Sequence, residues 1–242
     1  MNIDLSNRQI LITGASSGIG LDIAVQASYA GACTTLVARR EDKLQDAIQR
    51  MKGEGHTYYV CDLSKPEETT ALLEKLKEKP VKFDGMVYAA GQTCIKSIKL
   101  MNHDELSHLM NLNCFSFYEL SRLFFSRKNC NPNSSIVAIS SVAHKALAQG
   151  ISAYAMSKAA METAVKALAK ELKHGIRANA ILPGMITTDL ISGIESDVIH
   201  EAFSKFKFGK VGDVTPLALY LLSDLSSFMT GSSLIVDGGL TI

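Results

Sequence analysis

The sequence carries almost no net charge and no long apolar run. Its 25 lysine and arginine residues and 24 aspartate and glutamate residues leave a formal charge of +1 over 242 residues. Nucleic acids and membrane surfaces select strongly basic faces, so neither is expected as a partner. No apolar stretch is long enough to span a bilayer. The first residues, MNIDLSNRQILITG, lack the basic and apolar segments of a secretory signal, so we expect a cytoplasmic protein.

Cysteine is scarce and is not arranged for cross-linking. The five cysteines are odd in number, scattered and free of any C-x-x-C pair, which argues against disulfides and against a zinc or other metal site. We expect reduced thiols that act as small apolar side chains. Internal repeats and low-complexity segments are absent. The chain is long enough to bury one large core or two small ones.

Short continuous apolar runs alternate with segments of helical spacing. Strands are predicted over QILIT, CTTLVA, TYYVC, GMVYAA, SSIVAIS, IRANAILPG and SSLIVDGG. Helices are predicted from near Ile19 and over EDKLQDAIQRM, PEETTALLEKLKE, residues 103–125 and SAYAMSKAAMETAVKALAKEL. Continuous apolar strands indicate burial on both faces, and the alternation indicates a parallel sheet between two helical layers.

The prediction is therefore an α/β fold with a doubly wound parallel sheet flanked by helices on both faces. No linker divides residues 1–242, so one domain is expected. Residues 189–213 form the least regular segment, with glycines and mixed charge, and are predicted to form a flap over a substrate.

Three glycines lie directly between the first strand and the first helix, in TGASSGIG at residues 13–20. Gly14, Gly18 and Gly20 let the backbone approach a ligand where a Cβ would collide. The free N–H groups and positive dipole end of the next helix face the same place. This combination predicts a pyrophosphate site.

The same residues also match G-x-S-x-G, the nucleophile elbow of α/β-hydrolases, with Ser16 as the nucleophile. That alternative fits poorly, because only one short strand precedes the motif. It also needs a late histidine, and the last one, His200, lies in the irregular segment.

Two arginines end the second strand, in VARRE. About 20 residues after a glycine turn, an acid reads the ribose of NAD, whereas an arginine accommodates the 2′-phosphate of NADP. Arg39 and Arg40 offer guanidinium groups suited to phosphate. NADP(H) is therefore the predicted cofactor.

The stretch YAMSK places Tyr154 and Lys158 four residues apart. On a helix these side chains share one face. Taken alone, the pair is typical of an exposed helix face. A free phenol has a pKa of about 10, however, and a nearby cation favours its phenolate. The pair therefore also suits acid–base chemistry.

Together these segments resemble the classical short-chain dehydrogenase/reductase family. TGASSGIG and YAMSK match its cofactor and catalytic signatures. CDLS, AISS, IRANAILPG and VDGG follow in the family's order, so the likeness runs from about residue 8 to the C-terminus. In appearance the chain is nearest to the 3-oxoacyl-carrier-protein reductases. The resemblance implies a Rossmann-type fold that binds NAD(P).

The resemblance also implies a catalytic set of Asn113, Ser141, Tyr154 and Lys158, with Asn111 as the competing asparagine. Lys158 would lower the pKa of the Tyr154 phenol and bind the nicotinamide ribose, while Ser141 holds the substrate oxygen. The Asn113 backbone would hold a water that links Lys158 to solvent. The implied cofactor-binding residues are Gly14, Ser16, Ser17, Gly18, Ile19, Gly20, Arg39, Arg40, Asp62, Leu63, Ala90, Gly91, Tyr154, Lys158, Pro183, Gly184, Ile186 and Thr188.

Two positions depart from the family pattern. The family usually has N-A-G after the fourth strand, whereas this chain has Ala89-Ala90-Gly91. The missing amide would loosen the cofactor wall or the central strands without removing a proton donor. The family often has glycine three residues after the serine, whereas this chain has His144. That histidine is either a substrate contact or a loop side chain, and the loop interpretation is slightly favoured.

The sequence thus predicts an NADP(H)-dependent carbonyl reductase or alcohol dehydrogenase that acts on a small carbonyl or acyl-thioester substrate. Residues 93–99, 144–150 and 185–206 would read that substrate. Long apolar helices and an apolar last strand predict a homodimer or homotetramer. The non-enzymatic alternative is a nucleotide-binding sensor on the same fold, although such a protein would be expected to lose Tyr154 or Lys158.

Overall fold

The computed structural model describes residues 3–188 and 208–242. Its centre is a sheet of seven parallel strands in the order β3-β2-β1-β4-β5-β6-β7. The strands are β1 Gln9–Thr13, β2 Cys33–Ala38, β3 Thr57–Val60, β4 Phe83–Tyr88, β5 Cys130–Ile139, β6 Arg177–Pro183 and β7 Ser233–Val236. All seven predicted strands are present, and the predicted doubly wound Rossmann-type sheet is confirmed.

The central strands are buried on both faces, as their apolar runs predict. In β1, Leu11 packs into the core on one face, whereas Ile10 and Ile12 pack into the core on the other. All three side chains are fully buried. Successive strand side chains point to opposite faces, so a strand covered by helices on both sides needs an unbroken apolar sequence.

The two helical layers contain seven α-helices among the described residues. They are α1 Gly18–Tyr29, α2 Glu41–Gln49, α3 Pro66–Lys77, α4 His103–Met110, α5 Ser116–Ser121, α6 Ser152–Glu171 and α7 Val211–Leu222. None of the helices in these ranges is long and apolar enough to cross a membrane.

Helix α7 is not predicted by the sequence pattern, because Gly212 and Pro216 are both poor helix formers. Its start falls within the segment predicted to form a flap, residues 189–213. Residues 189–207 of that flap lie outside the described residues. The rest is regular, since Gly209 pairs with Ile186 and α7 begins at Val211.

The helix predicted over residues 103–125 is helical throughout but is not one α-helix. A π-helix, Asn111–Phe115, separates α4 from α5, and a 3-10 turn, Arg122–Phe125, follows α5. Two backbone carbonyl oxygens of the π-helix accept hydrogen bonds from hydroxyl groups. Ser116 Oγ donates to Asn111 O at 2.7 Å, and the buried Tyr88 Oη donates to Leu112 O at 2.6 Å. Tyr88 belongs to β4, so the π-helix, whose turn is wider than that of an α-helix, is hydrogen-bonded to a strand of the sheet.

Candidate active site

The carboxyl ends of the strands open into one cleft of about 1200 Å³. This is the edge at which open parallel sheets bind ligands. Eighteen of the twenty predicted site residues line it: Gly14, Ser16, Ser17, Gly18, Ile19, Gly20, Arg39, Arg40, Leu63, Ala90, Gly91, Ser141, Tyr154, Lys158, Pro183, Gly184, Ile186 and Thr188. The exceptions are Asp62 and Asn113.

The glycine turn lies directly on the end of β4. Gly14 has φ +67°, and a Cβ there would come within 2.7 Å of the Ala89 carbonyl and the Ala90 nitrogen. Gly20 packs in turn against the carbonyl of Gly14. Helix α1 begins at Gly18, and the side chain of its N-cap residue, Ser17, makes no capping hydrogen bond. Its first N–H groups therefore face a backbone-lined hollow suited to phosphate oxygens.

The backbone beneath this turn is held without the family's asparagine. Thr13 Oγ1 accepts hydrogen bonds from the N–H groups of Ala89 and Ala90, each at 3.2 Å. One hydroxyl thus joins the ends of the neighbouring strands β1 and β4. Because this contact fixes the backbone at residues 89 and 90, the alanine at position 89 does not leave the cleft wall unsupported.

Arg39 and Arg40 lie exposed in the cleft wall, next to the glycine turn. Arg40 Nη2 donates to Ser16 Oγ at 3.3 Å, which brings the guanidinium to the start of the glycine turn. The residues of the described cleft wall include no aspartate or glutamate. A group bound beside these arginines would therefore meet positive charge.

Asp62 does not reach the cleft wall, although its neighbours Cys61 and Leu63 do. Its Oδ1 accepts hydrogen bonds from Ser64 N at 3.1 Å and from Ser64 Oγ at 2.7 Å. Burial opposes ionisation of Asp62, but these bonds and the charges of Arg39 and Lys65 outweigh burial and lower its pKa. The carboxylate thus stabilises the turn after β3, and its predicted contact with the cofactor stays a prediction.

Helix α6 brings Tyr154 and Lys158 to the cleft on one face, opposite Ser141 at the end of β5. The Lys158 Nζ lies 6.0 Å from the centre of the Tyr154 ring. Lys158 is only 4% exposed, and its Nζ donates to Ile139 O at 2.9 Å. Ser141 Oγ accepts a hydrogen bond from Ala143 N at 3.1 Å. The three predicted groups therefore converge.

The pKa of Tyr154 moves in the direction opposite to the predicted one. Burial raises the pKa of its phenol, and the smaller opposing effect of the neighbouring Ser141 hydroxyl does not offset the rise. Burial likewise lowers the pKa of Lys158 to about 8, against a smaller opposing effect of Cys114. The prediction weighed the lysine charge but not the desolvation of both groups. The protein's own groups thus favour neutral tyrosine, the form that donates a proton.

Asn113 is fully buried in the π-helix and forms hydrogen bonds that stabilise the cleft wall from the core side. Its Nδ2 donates to Gln92 O at 3.0 Å and to Ser157 Oγ at 2.9 Å, while its Oδ1 accepts from Gln92 N at 2.9 Å. Ser157 Oγ in turn donates to Tyr154 O at 2.7 Å. Asn111 makes none of these links, so the geometry favours Asn113 as the candidate asparagine. Sequence reasoning missed Gln92, which has no motif of its own.

His144 is not among the described residues that line the cleft. It ends a 3-10 turn, Val142–His144, and its Nε2 lies 3.2 Å from Oε2 of Glu162 on α6. This position is that of a loop side chain, with a neighbour on α6 that the sequence did not indicate.

The two loops predicted to contact the substrate, residues 93–99 and 144–150, both contribute residues to the cleft wall. Lys96 N donates to Gly150 O at 2.8 Å, which joins the two loops. The Lys96 Nζ lies 2.5 Å from Glu105 Oε1, so its charge is already paired. Most of the remaining described wall here is apolar, including Ile95, Val142, Ala143, Leu147, Ile151 and Met185. Of the third predicted stretch, residues 189–206 lie outside the described residues.

Comparison with known proteins agrees with this geometry. The family described as enoyl-(acyl carrier protein) reductase matches residues 14–241. The chain is 31% identical to 3-oxoacyl-[acyl-carrier-protein] reductase FabG of Chlamydia pneumoniae, covering all of both chains. It is also 31% identical to 7alpha-hydroxysteroid dehydrogenase of Escherichia coli, covering 98% of this chain and 96% of the relative.

A solved short-chain type dehydrogenase/reductase from Mycobacterium ulcerans superposes with a TM-score of 0.88 at 29% identity, covering 98% of this chain and 91% of that one. The match extends over nearly the whole chain in sequence and in fold. The chain therefore belongs to the short-chain dehydrogenase/reductase family of oxidoreductases, whose members use nicotinamide cofactors.

Proposed function

We propose that the chain is a single nucleotide-binding domain that transfers a hydride between NADP(H) and a carbonyl or secondary-alcohol substrate. One observation carries the proposal: Ser141, Tyr154 and Lys158 converge at one end of a cleft that has the glycine turn and two arginines at its other end. A dinucleotide that spans the cleft would place its nicotinamide beside the tyrosine. The bound cofactor supplies the hydride.

The side chains have separate tasks in carbonyl reduction. The Ser141 hydroxyl donates a hydrogen bond to the substrate oxygen and so orients the carbonyl. The Tyr154 phenol gives that oxygen its proton as negative charge develops on it. Lys158 binds the nicotinamide ribose and stabilises the phenolate that remains. Asn113 holds Gln92 and Ser157, which fixes the wall and the helix on either side of the reacting atoms.

The cofactor is proposed to be NADP(H) because Arg39 and Arg40 lie at the adenosine end. Replacing both with alanine should weaken NADPH binding by more than about 1.5 kcal/mol, the lower range for hydrogen bonds to charged groups. That is a loss of about tenfold or more. NADH binding should change little. Fluorescence titration with both cofactors measures the two affinities.

The matched control replaces Arg122 and Arg127, two exposed arginines away from the cleft, with alanine. It removes the same net charge and should leave both affinities unchanged. A native protein that binds NADH as well as NADPH would refute the arginine argument.

The substrate is proposed to be a largely apolar carbonyl compound, such as a ketone or a 3-oxoacyl thioester. The apolar lining and the pairing of Lys96 with Glu105 favour an uncharged group next to the reacting carbon. The curated relatives do not choose between these classes, since one is named for acyl-carrier-protein substrates and the other for a hydroxysteroid. Fold and ancestry leave substrate open.

The test is a panel of cyclic ketones, linear ketones and 3-oxoacyl thioesters, with NADPH absorbance as the readout. At least one class should give turnover well above the background. If NADPH binds but no member is reduced, the sensor alternative is favoured. The hydrolase alternative would instead require cleavage of a thioester or ester without cofactor, and the described residues that line the cleft include no histidine to act as base for Ser16.

Assembly into a symmetric dimer or tetramer is proposed from apolar side chains left exposed on the protein. Phe115, Tyr118 and Phe125 along α5 and its flanking turns are each more than half exposed, and Phe228 is fully exposed before β7. Light scattering at micromolar concentration should show a dimer or a tetramer. Replacing Phe115 and Tyr118 with serine should shift the mass towards monomer, whereas a native monomer would contradict the proposal.

A further inference from the structure

The face of helix α6 that bears Tyr154 and Lys158 also bears a third charged or polar side chain, that of Glu162. Glu162 follows Lys158 by four residues, so the three side chains form one stripe. The stripe faces the end of β5 and the residues that follow it. There Lys158 Nζ donates to Ile139 O at 2.9 Å, and Ser140 Oγ donates to Lys158 O at 3.0 Å.

The third contact of this stripe is between Glu162 and His144. The His144 Nε2 lies 3.2 Å from Glu162 Oε2. The links through Ile139 and Ser140 precede Ser141 in the chain, whereas His144 follows it. Ser141 is therefore held against α6 by side-chain contacts on both sides, although the family pattern often has only glycine at position 144.

The contact is largely removed from water. The Glu162 side chain is 8% exposed and that of His144 is 20% exposed. Glu162 Oε1 also accepts a hydrogen bond from Lys166 Nζ at 2.7 Å. Burial opposes ionisation of Glu162, but Lys166, with a smaller effect of His144, outweighs burial and lowers the pKa of the carboxyl. Within the described residues Glu162 Oε2 is buried and makes no hydrogen bond, so the His144 ring at 3.2 Å is a close polar contact to a carboxylate oxygen that burial otherwise leaves without a partner.

We propose that His144 and Glu162 are positioning residues that hold the Ser141 segment against α6 and so fix the Ser141 hydroxyl relative to the Tyr154 phenol. This inference rests on the proposed function for its kinetic consequence. Displacement of a reacting group by a fraction of an ångström is enough to slow a reaction. Val142 is also packed into the core, so loss of the contact should displace the segment without unfolding it.

The kinetic test compares His144→Ala with the parent protein on whichever carbonyl substrate the panel identifies. We expect kcat to fall roughly tenfold or more, with the NADPH dissociation constant unchanged because the glycine turn and arginines are untouched. His144→Gln, whose amide nitrogen reaches about as far as the imidazole Nε2, should recover most of the rate. Lys166→Gln is the matched control, because it removes the exposed partner of the same carboxylate and should leave kcat near normal.

A double-variant measurement separates positioning from general stability. If His144 acts through Ser141, His144→Ala should reduce kcat no more than about twofold in a Ser141→Ala background. A structural role alone would lower the melting temperature and leave kcat unchanged well below it. Equal losses in both backgrounds, or a His144→Ala protein with normal kcat, would overturn the inference.

Hydrogen exchange provides a test that does not depend on activity. The amides of residues 142–146 should exchange at least several-fold faster in His144→Ala than in the parent, whereas those of β1 should not change. Unchanged exchange at residues 142–146 would overturn the inference. If the parent protein reduces no substrate, the proposed function fails, and exchange alone then decides whether the contact holds this segment.

Discussion

Replacing Tyr154 with phenylalanine is expected to reduce turnover by at least the roughly 10²–10⁴-fold that accompanies loss of a general acid. The ring and its packing remain, but the hydroxyl that gives the substrate oxygen its proton is removed. NADPH binding should persist, because the glycine turn and arginines at the other end of the cleft are unaltered. Initial rates of NADPH oxidation measure the first effect, and fluorescence titration measures the second.

Tyr29→Phe is the control for this substitution. Tyr29 is the last residue of α1, at the end of that helix opposite the glycine turn, with its side chain more than half exposed, so removal of its hydroxyl should leave turnover unchanged. If the Tyr154→Phe protein kept most of its ketone reduction, Tyr154 and Lys158 in YAMSK would have to be interpreted as ordinary helix residues without a catalytic role. The proposed site would then lose its proton donor.

Lys158→Met is expected to reduce turnover and cofactor affinity together, which distinguishes it from the tyrosine variant. The substitution removes the ribose contact and the positive charge beside the phenol while keeping a buried side chain of similar length. Residual alcohol oxidation should need higher pH, because the phenolate is less favoured without the cation. Steady-state rates and NADPH titration over a range of pH measure both effects. Normal NADPH affinity would exclude a cofactor role for this lysine.

The same variant should change how stability depends on pH. Burial lowers the pKa of Lys158 from 10.5 to about 8 in the folded protein, whereas the unfolded chain keeps the ordinary value. Between pH 8 and 10.5 the unfolded state therefore binds more protons at this group, so its contribution to stability rises with pH in that window. Urea denaturation of parent and variant should show this rise in the parent and its loss in Lys158→Met. Parallel curves would mean that Lys158 titrates normally.

The fold and most of the site could be predicted because the responsible signals are local in the chain. Leu11, Ile10 and Ile12 show burial on both faces through an unbroken apolar run. The glycine at position 14 indicates a positive φ and a close approach of the turn to the neighbouring backbone. Tyr154 and Lys158 share a helix face by spacing alone.

The features that were not predicted arise between distant segments. Residues 103–125 have helical spacing throughout, and the π-helix inside them depends on the Tyr88 hydroxyl from β4. The contact between His144 and Glu162 joins residues whose proximity appears only when the end of β5 packs on α6. The direction of the Tyr154 pKa shift depends on desolvation, which cannot be inferred from the spacing of Tyr154 and Lys158 in the sequence.

The place of β1 between β2 and β4 in the sheet also determines the order in which strands of the nascent chain can pair. Ile10 of β1 pairs with Gly85 of β4, although β2 covers the other edge of β1 with residues 33–38. At synthesis rates of about 5–20 residues per second, the 75 residues from Leu11 to Gly85 take about 4–15 s to appear. Over that interval the edge of β1 that pairs with β4 in the folded protein has no partner strand. The backbone of Ala89 and Ala90, on which the glycine turn rests, emerges only after β4, so the phosphate hollow cannot form on the ribosome before then.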